Sequence, residues 1–425
     1  MQHAFLRAYE EMLSLNNLQL KQFSDSKAEL IRSMKRLDAF LTQIDNPEKH
    51  LDFIHIAGTS GKGSVANMIH QIIVEDGQKV GTYLSPHTTS FLERFRFGKG
   101  LMDPSILAKQ IHFILKEYQK FLATGEILSF FELSTCLAIY SMKKAGVDWC
   151  ILEAGCGGRW DATNIIPRPV IAIITNINKD HTDILGDSLA LIAKEKAGII
   201  KKGSTVLCGE TRPSLKKIFT KEAIAEQAAL FFVPPPNSKK VDETLGSHQQ
   251  HNAVLAERAA KEIGVSETVI ERALKKVQSL PCRFETMQKR PLIILDGAHS
   301  PAKIASTVER IKRLEKPVRL IFGCAANKEA EDMVKQLSPA VISITTTRFN
   351  LEFRKAANPA MLLGYVPKSK RAGYFINQKE ALKHVKTIRQ NDEVIVVTGS
   401  LFLSGEMRAN WIPESEIIKN RSSFI

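Results

Sequence analysis

Short apolar runs of strand length alternate with helix-patterned segments through most of the chain, and this alternation constrains the fold more than any other feature. The runs are LDFIHIAG, KVGTYLS, WCILEAG, VIAIITNI, STVLCG and LFFVP, then PLIILDG, VRLIFG, AVISITTT and EVIVVTG. Strands of this kind belong to parallel sheets covered by helices on both faces. In such folds ligands collect beyond the carboxyl ends of the strands. The clusters GTSGKGS, SPH, EAGCGGRWDATN, NINKDH and DGAHS follow the runs at that end.

Helical segments over Ser247–Ile263 and Ser266–Ser279 lead into LPCRFE, where Pro281 is expected to stop the helix before strand–helix alternation restarts. This places a domain boundary there, giving domains 1–281 and 282–425, with Leu280–Glu285 as the connecting hinge. VPPPNSKK (Val233–Lys240) reads as a stiff polar surface connection inside the first domain. No internal repeat or low-complexity tract is found.

The stretch IHIAGTSGKGSVANMI (Ile54–Ile69) carries the chemistry. Leu51–Ala57 predicts a buried strand, and Val65, Met68, Ile69, Ile72 and Ile73 predict one face of a helix. Between them, Gly58, Gly61 and Gly63 let successive backbone N–H groups point at one spot at a helix N-terminus. Lys62 adds a mobile positive charge, and Ser64 or Thr59 offers a hydroxyl for magnesium. Phosphate is the expected guest, although Gly58 lies too close to Gly61, and Gly63 separates Lys62 from Ser64, for the strict G-x-x-x-x-G-K-[ST] pattern. The plain alternative is a glycine-rich strand-to-helix turn with an incidental lysine.

Composition narrows the class. At 425 residues, with 44% hydrophobic and 24% charged residues, the chain fits a soluble globular protein of two or more domains. Met1–Asn17 reads as an amphipathic helix with Arg7, Glu10 and Glu11 rather than a signal peptide, and no apolar run reaches membrane-spanning length. The 6 cysteines (Cys136, Cys150, Cys156, Cys208, Cys282, Cys324) form no C-x-x-C pair, so reduced buried thiols in the cytoplasm are expected. The formal net charge of +14 suits anionic small substrates, and no nucleic-acid module or membrane segment accompanies it. A generally basic surface is the plain reading of the charge and takes precedence.

Taken together, HIAGTSGKGS, SPHTTSFLERF, FFELST, LEAGCGGRWDATN, TNINKDHTDILG, IAKEKAGII, HQQHNA, PCRFE and LDGAHSP resemble, in order, the folylpolyglutamate synthase/dihydrofolate synthase family of the Mur-ligase superfamily. The resemblance extends to TGSLFLSGEMR (Thr398–Arg408). It implies an N-terminal phosphate-loop NTPase-like domain with a parallel sheet and a smaller C-terminal Rossmann-like α/β domain. Only about fifty residues precede the loop, which fits the two-domain folate branch. The implied activity is ATP-dependent ligation of L-glutamate to a folate or to dihydropteroate through an acyl phosphate, by a monomer. A Mur-type ligase for another carboxylate and amino acid, or a phosphate-loop kinase or NTPase, is the alternative.

The same resemblance implies roles for particular residues. Gly58, Thr59, Ser60, Gly61, Lys62, Gly63 and Ser64 would hold the ATP phosphates. Ser64 and Glu153 would serve a first magnesium ion, and Ser85, Glu153 and His181 a second. Lys196, in KEKAGI, aligns with a lysine that the family carries as a carbamate; a solvated helix face is the plain reading of that run. Asn252 would lie near the adenine, Arg283 would reach phosphate, and Asp296 and His299 would contact ribose and phosphate. GCGGRWDATN would help form the folate region, with Trp160 over an aromatic ligand or simply packed. The chain departs from the family at Ser60 and Ser300, where asparagine is usual, and at Asn327, Lys328 and Glu329 in place of aspartate-lysine-aspartate.

Overall fold

A computed structural model describes residues 2–14, 27–236, 247–351 and 354–424. The chain divides into two compact units. The first comprises Met1–His87, Phe91–Gln278 and Ile418–Ser422; the second comprises Thr88–Ser90, Ser279–Ile417 and Ser423–Ile425. The short exchanges at 88–90 and near the C-terminus carry no signature in the sequence.

The first unit holds an 8-stranded sheet in the order β4-β3-β2-β5-β1-β6-β7-β8. Its strands are β1 (Phe53–Ala57), β2 (Val80–Tyr83), β3 (Phe95–Phe97), β4 (Gly100–Leu101), β5 (Trp149–Glu153), β6 (Ile171–Ile174), β7 (Thr205–Cys208) and β8 (Ala229–Phe232). β1 lies between β5 and β6, parallel to both, with Ile56 opposite Glu153 and Ala57 opposite Ile174. This non-sequential order brings the loops after β1, β5 and β6 side by side. Below them Ala57, Ala154, Ile174, Ile192, Val206 and Phe219 form a core.

The second unit holds a 6-stranded sheet in the order β13-β12-β11-β14-β10-β9. Here β9 is Arg283–Lys289, β10 Leu292–Asp296, β11 Val318–Phe322, β12 Ser343–Thr346, β13 Arg371–Tyr374 and β14 Val394–Thr398. Successive residues of its central strands enter opposite cores. Ile294, Leu320, Phe322 and Val396 go to one face, and Ile293, Leu295, Ile321, Ile395 and Val397 to the other. Burial on both faces is why these strands read as unbroken apolar runs.

Every predicted strand is present. The sequence reading missed β3, β4, β9 and β13, which are short or polar: RFETMQK is half-exposed along its length, and β9 pairs antiparallel with β10. β3 likewise pairs antiparallel with β2 and β4. The predicted helix over Ser266–Ser279 is shorter, spanning Glu267–Lys276, with Val277 already extended. It therefore ends before Pro281 can act. Within VPPPNSKK, Val233 is buried rather than on the surface, its N–H donating to Cys208 O at 2.8 Å. Residues 237–240 of that run, and Met1 and residues 15–17 of the N-terminal segment, lie outside the described residues. The Gln2–Ser14 helix buries Phe5, Ala8 and Met12. Cys136, Cys150, Cys208, Cys282 and Cys324 are buried free thiols, while Cys156 is half-buried. Among the described residues no helix is long and apolar enough to cross a membrane.

Two core histidines are held neutral. His70 Nε2–H donates to Gly98 O at 2.7 Å and its Nδ1 meets Thr82 Oγ1 at 2.7 Å. Burial, then the Arg96 charge, pushes its pKa down to about 3. His55, in β1, is pushed down to about 3 by burial and then by Lys201. The unfolded chain therefore binds more protons than the folded one between pH 6.5 and about 3, and stability should fall as pH drops through that window. At pH 5 each imidazole should remove about 2 kcal/mol relative to pH 7. In urea unfolding at the two pH values, His70→Gln should shrink the difference by about that amount; an undiminished difference would show that this imidazole reaches water in the fold.

Candidate functional site

β1 ends at Ala57, and the chain turns through Gly58–Gly61 into the helix Lys62–Glu75. Gly58 has φ +151° and a Cβ there would sit 1.8 Å from Thr175 Oγ1. Gly61 has φ +85° and faces Asn252, whose Oδ1 would lie 2.5 Å from a Cβ. Both positions need glycine for conformation and for space. The segment after β6 braces the loop. Thr175 Oγ1 donates to Ser60 O at 2.6 Å, Asn176 exchanges side-chain bonds with Ser60 N and O, and Thr59 Oγ1 donates to Asn178 O at 3.0 Å. Thr59 is thus a buried structural hydroxyl, whereas Ser64 Oγ accepts from Gln249 Nε2 at 3.2 Å. Gln249 in turn accepts from Asn252 Nδ2 at 2.9 Å.

Two lysines meet at one oxygen in this loop. Lys62 Nζ donates to Gly58 O at 3.1 Å, and Lys196 Nζ donates to the same oxygen at 3.0 Å. Lys196 is 4% exposed, so the solvated-face reading of KEK fails for it. Its helix, Leu189–Ala197, is held by the loop that follows β5: Arg159 N donates to Glu195 O at 2.8 Å, and Asn164 Nδ2 to Gly198 O at 3.0 Å. Gly158 packs directly on Lys196, where a Cβ would lie 3.0 Å from its Cα. This loop is compact because Asp161 accepts from Cys156 N, Thr163 N and Thr163 Oγ1. With that hydroxyl donating, His55 Nε2 carries the hydrogen that reaches Thr163 Oγ1 at 2.8 Å. Burial raises the Asp161 pKa against those hydrogen bonds and pushes the Cys156 thiol up to about 12. Lys201, lowered to about 8 by burial, donates to Asn164 O and Ile166 O.

At the end of β5, Glu153 is 7% exposed and accepts from Ser85 N at 3.0 Å. His181 has φ 53° and ψ 40°, with its N–H donating to Asp180 Oδ1 at 3.1 Å. No group of three or more His, Cys, Asp or Glu side chains forms a metal cage among the described residues. A hydroxyl, a carboxylate and an imidazole are donor types compatible with magnesium, which takes few protein ligands and completes its shell with water and phosphate oxygens. Trp160 is half-buried.

In the second unit Asp296 ends β10. Its Oδ1 accepts from Ala298 N at 3.1 Å, Thr307 Oγ1 at 2.7 Å and Thr398 Oγ1 at 3.4 Å. His299 Nδ1–H donates to Gly297 O at 2.8 Å, which leaves Nε2 to accept from Lys303 Nζ at 2.8 Å. The Arg283 guanidinium lies beside Gly297, with Nη1 donating to Cys282 O at 3.3 Å. Asn327 accepts from Arg354 Nη2 at 2.8 Å. Sequence reasoning gave no role to Thr175, Asn176, Gln249, Lys303 or Thr307. The first three lie within TNINKDH and HQQHNA, whose polar density was their one signal.

Residues 107–231 match the Mur ligase middle domain, and residues 282–401 match the Mur ligase glutamate ligase domain. A dihydrofolate synthase/folylpolyglutamate synthase of Haemophilus influenzae is 31% identical, the match covering 77% of this chain and 84% of that protein. A probable bifunctional folylpolyglutamate synthase/dihydropteroate synthase of Haloferax volcanii is 29% identical over 89% of this chain, which spans only 48% of that relative's length. Among solved structures, a bifunctional folylpolyglutamate synthase/dihydrofolate synthase with Mn, AMPPNP and L-glutamate bound superposes with a TM-score of 0.76. It is 26% identical, over 89% of this chain and 94% of that one.

The glycine at the loop entrance offers a direct test. Gly58→Ala should push Thr175 off Ser60 and cost about 1–3 kcal/mol of stability. Nucleotide affinity, measured by calorimetry, should fall about tenfold or more, since the loop N–H groups lose their common aim. Unchanged affinity would show that the loop is not the phosphate site.

Proposed function

The chain belongs to the dihydrofolate synthase/folylpolyglutamate synthase family of ATP-dependent amide ligases, and we propose that it joins L-glutamate to the γ-carboxyl of a folate, or to dihydropteroate, with release of ADP and phosphate. One observation carries this reading: Lys62 and Lys196, from different elements, converge on the Gly58 carbonyl. Binding a nucleotide asks for the first lysine. The second, buried and clamped from two sides, is superfluous to a phosphate loop that only binds or hydrolyses.

A carboxylate is a poor electrophile, so the reaction needs two steps. A carboxylate oxygen of the acceptor attacks the γ-phosphorus of ATP, the bond to the bridging oxygen breaks, and ADP leaves with the electron pair. The deprotonated amine of glutamate then attacks the acyl carbon, the C–O bond to phosphate breaks, and the amide forms with loss of the second amine proton. Lys62 and the N–H groups of Gly61–Ser64, at the start of the helix, stabilise the charge that gathers on the phosphates, since Thr59 N and Ser60 N already donate to Asn176. Ser64 and Glu153, and Ser85, Glu153 and His181, are the residues that would hold magnesium, which when bound neutralises charge on the transferring phosphoryl group.

Lys196 acts here as a carbamate. Two ammonium groups at one carbonyl repel, and adding carbon dioxide to the buried one turns that repulsion into attraction. In the second unit, Arg283, Asp296 and His299 serve the nucleotide, the aspartate already fixed by Thr307 and Thr398. Asn252, set against Gly61, is assigned to the adenine side of the loop.

Assays with labelled glutamate and each of dihydropteroate and tetrahydrofolate should show ATP hydrolysis coupled to a glutamate-dependent product. Hydrolysis that ignores glutamate, or that rises with RNA or DNA, would overturn the ligase reading. Lys62→Ala should lower ligation about 100-fold or more in a folded protein. Lys196→Ala should lose most turnover while keeping much of its ATP affinity, and a small carboxylic acid in the buffer should restore part of it. Lys196→Arg should stay inactive, because arginine cannot take up carbon dioxide; an active arginine variant would show that the residue works as a cation.

A further inference from the structure

Away from these residues, the second unit carries a basic groove. The helix Gln378–Ile388 places Lys379, Lys383 and Lys386 at i, i+4 and i+7, so the three exposed side chains leave one face. They line an open groove of about 450 Å³ together with Trp411 and Asn410. The Lys386 ammonium lies 5.5 Å from the centroid of the Trp411 ring, and the indole N–H donates to Gln288 Oε1 at 3.4 Å, which fixes that wall. No carboxylate lines the groove. Like charges at these spacings repel and weaken a helix. A helix that carries this repulsion around a preformed groove gains stability from a ligand that brings several negative charges.

We propose that this groove binds the oligo-γ-glutamyl tail of a folate, outside the residues that handle phosphate. The spacing favours that anion. Along the helix axis the lysines rise by about 6 Å and then about 4.5 Å, and an extended γ-linked chain offers one α-carboxylate about every 6 Å, because five backbone bonds separate its repeats. The inference rests on the ligase reading, since that activity is what makes such a chain.

Calorimetric titration of the whole protein with tri-γ-glutamate, single glutamate and inorganic tripolyphosphate tests it without ATP or turnover. Tri-γ-glutamate should bind about tenfold or more tightly than glutamate, and its affinity should fall as salt shortens the Debye length. Lys383→Gln should weaken it about threefold, and Lys379→Gln/Lys383→Gln/Lys386→Gln about tenfold or more; glutamine keeps a good helix propensity, so the helix survives. Equal affinity in the triple variant and the unmodified protein, or tripolyphosphate binding the groove better than tri-γ-glutamate, overturns the proposal. If the unmodified protein makes no glutamate-dependent product yet binds tri-γ-glutamate through these lysines, the ligase reading fails and the groove stands.

Discussion

The Gly58 carbonyl is the point on which the first unit's chemistry turns. It accepts from Lys62, four residues on, and from Lys196, 138 residues on, at nearly equal distances. A buried carbonyl that gathers two cations fixes the position of both. It can do so only because Gly58 adopts a backbone conformation unfavourable to other residues, and because Thr175 occupies the space where a side chain would go. Both amines are thereby placed by the fold alone.

The Lys196 end of this arrangement depends on buried polar groups as well as on the apolar packing of Ile192, Ala193 and Ala197. Asp161 and Thr163, in the loop after β5, form a chain of hydrogen bonds with His55 of β1, and Lys201 and Asn164 close it from the other side. Removing one partner from such a network leaves the others desolvated, so its members stand or fall together. Both histidine ring positions that matter here are neutral, which keeps extra positive charge away from Lys201 and Arg96.

The second unit uses the same logic at Asp296, where a backbone N–H and two threonine hydroxyls converge on one carboxylate oxygen. Next to it, Ser300 caps the helix Pro301–Lys312 in position only: its hydroxyl is 2% exposed and lacks a hydrogen-bond partner. Asparagine, which the resemblance leads one to expect there, has a longer side chain with both a donor and an acceptor. Lys303, one turn into that helix, donates to His299 and fixes which ring nitrogen carries hydrogen.

The apolar runs by themselves determined the parallel strands, because strands buried on both faces must be apolar throughout. They also located the loop, since glycine, lysine and serine between a strand and a helix have a definite use. The edge strands escaped notice because half-exposed segments such as RFETMQK need no such pattern. Which side chains meet was decided only by tertiary structure. KEKAGI contains two lysines, and nothing in its spelling separates Lys194 from Lys196; burial of one and exposure of the other follows from the helix's packing against Gly158 and the loop after β5. Strand order supplied the rest, for setting β1 between β5 and β6 joins Glu153, the glycine-rich loop and the bracing Thr175–Asn178 segment across a distance no local pattern encodes.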